Sequence, residues 1–313
     1  MTAGVAGIEP RHEWHPLASG VELHAVHWDP PTTTGVPFLL VHGLASNARL
    51  WDGVALHLAQ RGHPAVAVDQ RGHGLSSKPD DGYDMTTVAN DLRLFIDVLG
   101  WDRPAVAGQS WGGNVVLELA WAHPESVSMI ACVDGGFIDL AGRFPNWDDA
   151  AGTLAPPRLA GTPLADITRW VETSAADWPE TGRQGTLANF EARDDGTIAP
   201  WLTFDRHLTV LRGLWEHQPS SRYPDVNVPT LLIGADTGDV AWSASKHDAV
   251  DHAIAALPRG RAVWFSPAHH DVHAQQPDAV GDLLLRAVTD PTFFPAPPPP
   301  PPTTPPTTPP EIT

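Results

Sequence analysis

The chain has 313 residues with 37 acidic against 19 basic side chains, a formal charge of -18 and one cysteine. Lacking a basic cluster that could track a phosphate backbone, it is not expected to bind nucleic acid, and its lone thiol, Cys132, precludes an intrachain disulfide. No stretch approaches the roughly 20 apolar residues of a membrane span, and residues 1–16 have neither the basic start nor the apolar core of a signal peptide, so a cytoplasmic protein is expected.

At this length a single α/β domain carrying an insertion fits better than two independent domains. Two alternating segments within residues 12–29, separated by Ser19 and Gly20, predict a β-hairpin. The continuously apolar run 36–41 suits a strand covered on both faces. Residues 50–61 carry apolar side chains at helical spacing and stop at Gly62. A strand at 65–68, a helix at 86–99 ending at Gly100, a strand at 103–107, a helix at 113–123 and a strand at 127–133 continue the alternation. Right-handed crossovers make such a chain a mostly parallel sheet with helices on both faces, and function belongs at the carboxyl ends of its strands.

From residue 135 to about 225 the rhythm lapses into helical fragments broken by Pro and Gly, with Trp147, Trp170, Trp178, Trp201 and Trp215 among them. So long an interruption without structure of its own would be unusual, which predicts a helical cap inserted into the core. The tryptophans could roof an apolar pocket, although for any single one packing cap against core is the commoner use. Strand 229–233, helix 243–257, strand 262–266 and helix 277–289 then resume the core, and residues 295–313 are nearly all Pro and Thr, which predicts an extended tail. The expected division is core 11–134, cap 135–225, core 226–290 and disordered tail 291–313.

The stretch around which this is organised is Gly108-Gln109-Ser110-Trp111-Gly112, where a strand becomes a helix. A serine placed there reads as a nucleophile elbow: the turn strains its backbone and is tolerable only if the flanking positions lack colliding side chains. Ser110 is the candidate nucleophile. Four further stretches fall in order around it: Val41-His42-Gly43-Leu44, Asp69-Gln70-Arg71-Gly72-His73-Gly74, the strand ending at Gly234 with its acidic loop, and His270 seven residues before Pro277. With these the chain resembles the α/β-hydrolase family from about residue 21 to 289, which implies an α/β-hydrolase fold with a cap, a Ser-His-acid triad and no cofactor.

The resemblance implies His270 as the base, by register against Pro277, with His269 the alternate if the loop shifts by one. His269, His270 and His273 are not spaced like a metal site, so no metal is expected. For the acid it leaves three candidates: Asp239, ranked first as the carboxylate of the loop after Gly234; Asp134, because some members take the acid from that strand end; and Asp236, otherwise a turn residue binding its own backbone. The implied oxyanion hole is the backbone N–H of Leu44 and of Trp111. His42, Asp69, Arg71 and His73 read as groups that hold neighbouring loops. Family members with Gly-x-Asp-Trp-Gly attack alkyl carbon with a carboxylate, as haloalkane dehalogenases and epoxide hydrolases do; a serine suits acyl carbon instead.

The expected reaction is hydrolysis of a carboxylic ester, or a lactone, through an acyl-enzyme. The expected partner is a small molecule with an apolar portion. Acyl transfer, amide or aminopeptide hydrolysis and carbon–carbon bond hydrolysis on the same triad are the alternatives, with a non-catalytic ligand-binding member of the fold as the rival from another class.

Overall fold

In this computed structural model residues 7–238 and 240–296 are described. β1 (Arg11–Pro16) and β2 (Glu22–Trp28) form the predicted hairpin, followed by β3 (Phe38–Val41), a 3-10 turn at Ala48–Trp51 running into α1 (Asp52–Ala59), and β4 (Ala65–Val68). Then come α2 (Met85–Leu99), β5 (Ala105–Gln109), α3 (Trp111–Ala122) and β6 (Met129–Val133). The inserted region holds α4 (Leu140–Arg143), α5 (Trp147–Leu154), α6 (Leu164–Ser174), α7 (Glu180–Leu187), a short hairpin of β7 (Phe190–Ala192) and β8 (Ile198–Pro200), and α8 (Phe204–Glu216). The core returns with β9 (Thr230–Ala235), α9 (Val240–Ala256), β10 (Gly260–Phe265), α10 (Val272–Gln275) and α11 (Pro277–Thr289).

Eight strands make one sheet in the order β1-β2-β4-β3-β5-β6-β9-β10. β2 is antiparallel to both its neighbours, and every other pair is parallel. Because side chains alternate along a strand, each parallel strand feeds two cores. Leu39, Val41, Val66, Val68, Ile130 and Cys132 face the layer with Val88, Leu92 and Phe95 of α2 and Val116 of α3. Phe38, Leu40, Ala65, Ala67, Met129 and Ala131 face the layer with Val54 and Leu58 of α1 and Val280 and Leu284 of α11. Cys132 is a fully buried free thiol, and burial pushes its pKa up. No helix among the described residues is long and apolar enough to cross a membrane.

The ordered core runs further than the composition suggests. Phe293, inside the stretch expected to be tail, is buried in the second layer against Phe294, and its carbonyl accepts from Arg261 at 2.6 Å. Two aromatics ahead of the prolines bury enough surface to hold the segment. Residues 297–313 of the predicted tail lie outside the described residues.

Candidate active site

β5 delivers Ser110 to the start of α3 with φ 54° and ψ -122°, a backbone region that residues with a Cβ avoid. Holding it there costs about 1–3 kcal/mol, offset by the surrounding packing. A Cβ on Gly108 would lie 2.2 Å from the carbonyl oxygen of Gly112, and one on Gly112 would lie 2.4 Å from that of His42. Only glycines let the elbow close and approach the loop after β3. The Ser110 N–H donates to Val133 O at 2.8 Å, which ties the elbow to the end of β6.

One residue further along β6 stands Asp134, at φ 45° and 2 % exposed. Its Oδ2 accepts from His270 Nδ1 at 2.6 Å, its Oδ1 from the Ala235 N–H at 3.0 Å, and Lys246 Nζ bridges both oxygens at 2.9 and 2.8 Å. Burial alone would raise the pKa of this carboxyl, but the bonds from His270 and Lys246 outweigh it and hold the pKa below the usual carboxylate value. Burial likewise opposes charge on His270, yet the bond to Asp134 and the charges of Asp271 and Asp134 raise its pKa above 6.5. The ring keeps 48 % of its side-chain surface accessible. It therefore rests on a dry carboxylate on one side and reaches outward on the other.

Of the three candidate acids, then, the structure joins His270 to Asp134, which the sequence placed second. Asp236 is the turn residue anticipated for it: Oδ1 accepts from the Gly238 N–H at 2.8 Å and from Ser243 Oγ, while its backbone carbonyl accepts from Ala268 of the histidine loop. Asp239, placed first, lies outside the described residues. His269 is an exposed ring against Trp178, and His273 is buried on Trp51, so the three histidines of this loop point to different surroundings.

Trp111 opens α3, so its N–H belongs to the first turn, where no intrahelical acceptor exists. Leu44 sits on the loop after β3, followed by Ala45 at φ 59°. His42 orders that loop: its Nδ1–H donates to Gly43 O at 2.7 Å and its Nε2 accepts from the Gln70 N–H at 3.0 Å, while burial lowers its pKa and keeps it neutral. Asp69 accepts from the Ala48 and Leu75 N–H groups and from His24, joining its own loop to the 3-10 turn before α1 and to β2. Gln109, whose position the sequence gave no weight, is buried and donates to His270 O at 3.3 Å, linking elbow to histidine loop. Ser110 Oγ and His270 Nε2 are not hydrogen-bonded to each other here; such contacts often tighten only around substrate.

Beside the loop after β3, between Ala45–Ser46 and the inserted region, lies a cleft of about 340 Å³. Its wall is largely apolar, with Pro156, Leu159, Trp201, Leu202 and Phe204, and it also carries Arg158 and Arg193. Arg158 stacks on Phe204 at 3.7 Å. Of the five tryptophans of this region only Trp201 lines the cleft. Trp147 packs edge-on against Trp215, Trp178 buries against Leu50 and Ala175, and Trp170 is exposed.

A sequence profile described as the alpha/beta hydrolase fold matches residues 36–275. The chain belongs to the α/β-hydrolase fold family. A 2-(acetamidomethylene)succinate hydrolase of Mesorhizobium japonicum is 33 % identical over 266 residues, 82 % of this chain and 88 % of that one. A soluble epoxide hydrolase of a Corynebacterium species is 32 % identical over 131 residues, 41 % of this chain and 44 % of that one. Among solved structures an E-2-(acetamidomethylene)succinate hydrolase superposes with a TM-score of 0.73 at 20 % identity, covering 90 % of this chain and all of that one. The chain spans 30 % of the length of the first curated relatives it matches. It has the α/β-hydrolase fold with a cap insertion, and the residue at its strand-to-helix elbow is a serine.

Proposed function

We propose that this enzyme hydrolyses an acyl bond, an amide C–N bond in preference to an apolar ester, of a small carboxylate-bearing substrate, with Ser110, His270 and Asp134 as its triad. Ser110 attacks the carbonyl carbon and its proton passes to His270 Nε2. Asp134 holds the Nδ1–H tautomer and stabilises the imidazolium that results. The N–H groups of Leu44 and Trp111 receive the oxyanion, each worth about a hundredfold to a thousandfold in rate. His270 then returns the proton to the leaving nitrogen, and water, activated by the same ring, releases the acid.

The observation that carries the triad is the 2.6 Å bond from His270 to a dry, depressed-pKa carboxylate at the strand end that also fixes Ser110. A serine elbow disfavours opening an epoxide, which calls for a carboxylate nucleophile. The ester expected from the motifs gives way to the amide alternative for two reasons. The relative aligned along most of both chains acts, by its name, on an acetamido-bearing succinate. In a chain of net charge -18, the cleft carries two cations, Arg158 stacked on Phe204 and Arg193 in the field of Asp195, and guanidinium groups so placed suit a carboxylate. The apolar remainder of the wall suits the rest of the substrate.

The test is steady-state hydrolysis of 2-(acetamidomethylene)succinate beside p-nitrophenyl acetate. The carboxylate-bearing amide should show the higher kcat/KM. Arg158→Ala with Arg193→Ala should raise its KM at least tenfold while leaving the neutral ester within about twofold, since a charge-assisted bond contributes about 1.5–3 kcal/mol. Ser110→Ala should abolish both activities. Equal loss on both substrates in the arginine variants, or ester preference in the wild type, would return the reading to a neutral ester.

A further inference from the structure

On the edge hairpin, away from the catalytic residues, Glu13, His15 and His27 bring three ligand atoms together. The β1–β2 register places them on one sheet face: Glu13 opposite Ala25, His15 opposite Leu23 and His27 opposite Arg11. His15 Nε2 and His27 Nε2 are 3.0 Å apart, and Glu13 Oε2 is 3.6 Å from each. A point equidistant from these atoms lies about 2.0 Å from all three, which is the distance Zn²⁺ takes to imidazole nitrogen and carboxylate oxygen. Small displacement of the ion from that plane would give a tetrahedral site with its fourth position open to solvent. The triangle is already the size of a filled site.

We infer that Glu13, His15 and His27 form a zinc-binding site on the β1–β2 hairpin. The surroundings suit it. Arg11 bonds the other oxygen of Glu13 and also Asp29 at 2.8 Å, so Glu13 Oε2 is the atom left facing the histidines. His15 packs edge-on against Phe95 of α2 at 5.2 Å, and His27 is buried, which fixes both rings. Only one of two facing Nε2 atoms can donate to the other. A cation lets both present lone pairs, with each ring proton carried on Nδ1.

The opposite face of the hairpin provides the contrast. His12 Nδ1 lies 2.9 Å from His24 Nε2, but His24 Nδ1 is committed to Asp69 at 2.8 Å. That pair is a hydrogen-bonded relay into the loop after β4, and among the described residues no third ligand atom joins it. The Glu13 site would clip β1, the sheet's edge strand, to β2, and two strands, β4 and β3, separate it from β5 and Ser110.

The test uses the full chain after chelator treatment, titrated with ZnCl₂ by calorimetry and with CoCl₂ by visible absorption. Wild type should bind one equivalent, show the strong absorption of tetrahedral Co²⁺ and melt at a higher temperature with zinc. Glu13→Gln and His15→Asn should each weaken binding by more than the roughly 10- to 100-fold that loss of an outer-shell partner causes, without loss of Ser110-dependent hydrolysis. No binding in the wild type, or unchanged affinity in the variants, overturns the inference. Should His15→Asn misfold for want of its Phe95 contact, Glu13→Gln decides alone, its side chain being 40 % exposed.

Discussion

Asp134 accepts from the Ala235 N–H, from Lys246 and from His270, and each bond constrains a different part of the site. The first anchors it to β9, and the second supplies a compensating charge to a carboxylate whose pKa burial would raise. Lys246 also lowers the pKa of His270 through its field, against the raising effect of Asp134. In the proposed mechanism the base works as the neutral ring, so kcat/KM should fall as pH drops through a His270 pKa above 6.5. In Lys246→Met the cation is gone, the imidazolium is favoured further, and that acid limb should move to higher pH. Asp134→Asn should move it to lower pH and reduce kcat by about 10³- to 10⁴-fold. Asp239→Asn should change neither, and a collapse of activity there would make Asp239 the acid after all. The ambiguity had a physical source. Asp134 and Asp239 both follow apolar runs in the sequence, and what marks Asp134 in the structure, a lysine 112 positions away and a positive φ, has no local signature. Ser110 and His270 could be nominated from the sequence because a tight turn and a helix-opening proline mark them within a few residues.

Both ends of the inserted region are fastened to one helix. At its entry the Gly136 N–H donates to Asn114 Oδ1 and Asn114 Nδ2 donates to Ile138 O. At its exit Glu118, buried on the same helix, receives Arg222 Nε at 2.9 Å and faces His217 Nε2 at 3.3 Å, while Tyr223 OH donates back to Gly136 O. A third tie runs from Asn47 of the loop after β3 to Gly185 O and Asn189. Insertion as such was legible in the broken rhythm of the sequence. The clamp was not, because Asn114 and Glu118 sit inside a helical pattern where polar residues ordinarily face solvent. Burial would raise the Glu118 pKa, but the bonds from His217 and Arg222 lower it to about 2. Its folded value lies below its unfolded one, so the stability it contributes is present above pH ~4.5 and is lost as pH falls toward 2. Glu118→Ala strands a partly buried guanidinium and should cost about 3–5 kcal/mol in urea unfolding at pH 7. Most of that difference should disappear at pH 3, whereas a purely steric effect would persist.

At the level of the whole molecule the strands could be placed from the sequence to within a few residues, because the inner parallel strands alternate between two apolar layers and so read as apolar runs, while the edge hairpin is marked by its turn. Their spatial order, with β2 against β4 and β3 inside, comes from the crossovers and has no linear signal beyond the family resemblance. The small β7–β8 hairpin was missed for a similar reason: three-residue strands are too short for a period to register. Net charge was legible at once, and it bears on catalysis if the substrate is an anion. A field from 18 excess negative charges opposes the approach of a carboxylate at long range, while Arg158 and Arg193 attract it only inside the cleft. Salt separates the two by distance. The screening length falls from about 30 Å at 0.01 M to about 10 Å at 0.1 M and about 3 Å at 1 M. Between the first two values the repulsion from distant charges is removed and the contact-range attraction survives; toward the third the attraction fades as well. For the carboxylate-bearing amide kcat/KM should therefore rise severalfold from 0.01 to 0.1 M NaCl and decline toward 1 M, with a neutral ester nearly flat throughout. A steady fall from the lowest salt would mean that the two arginines dominate the field even at a distance, and no response at all would mean that the substrate meets no net charge on its way in.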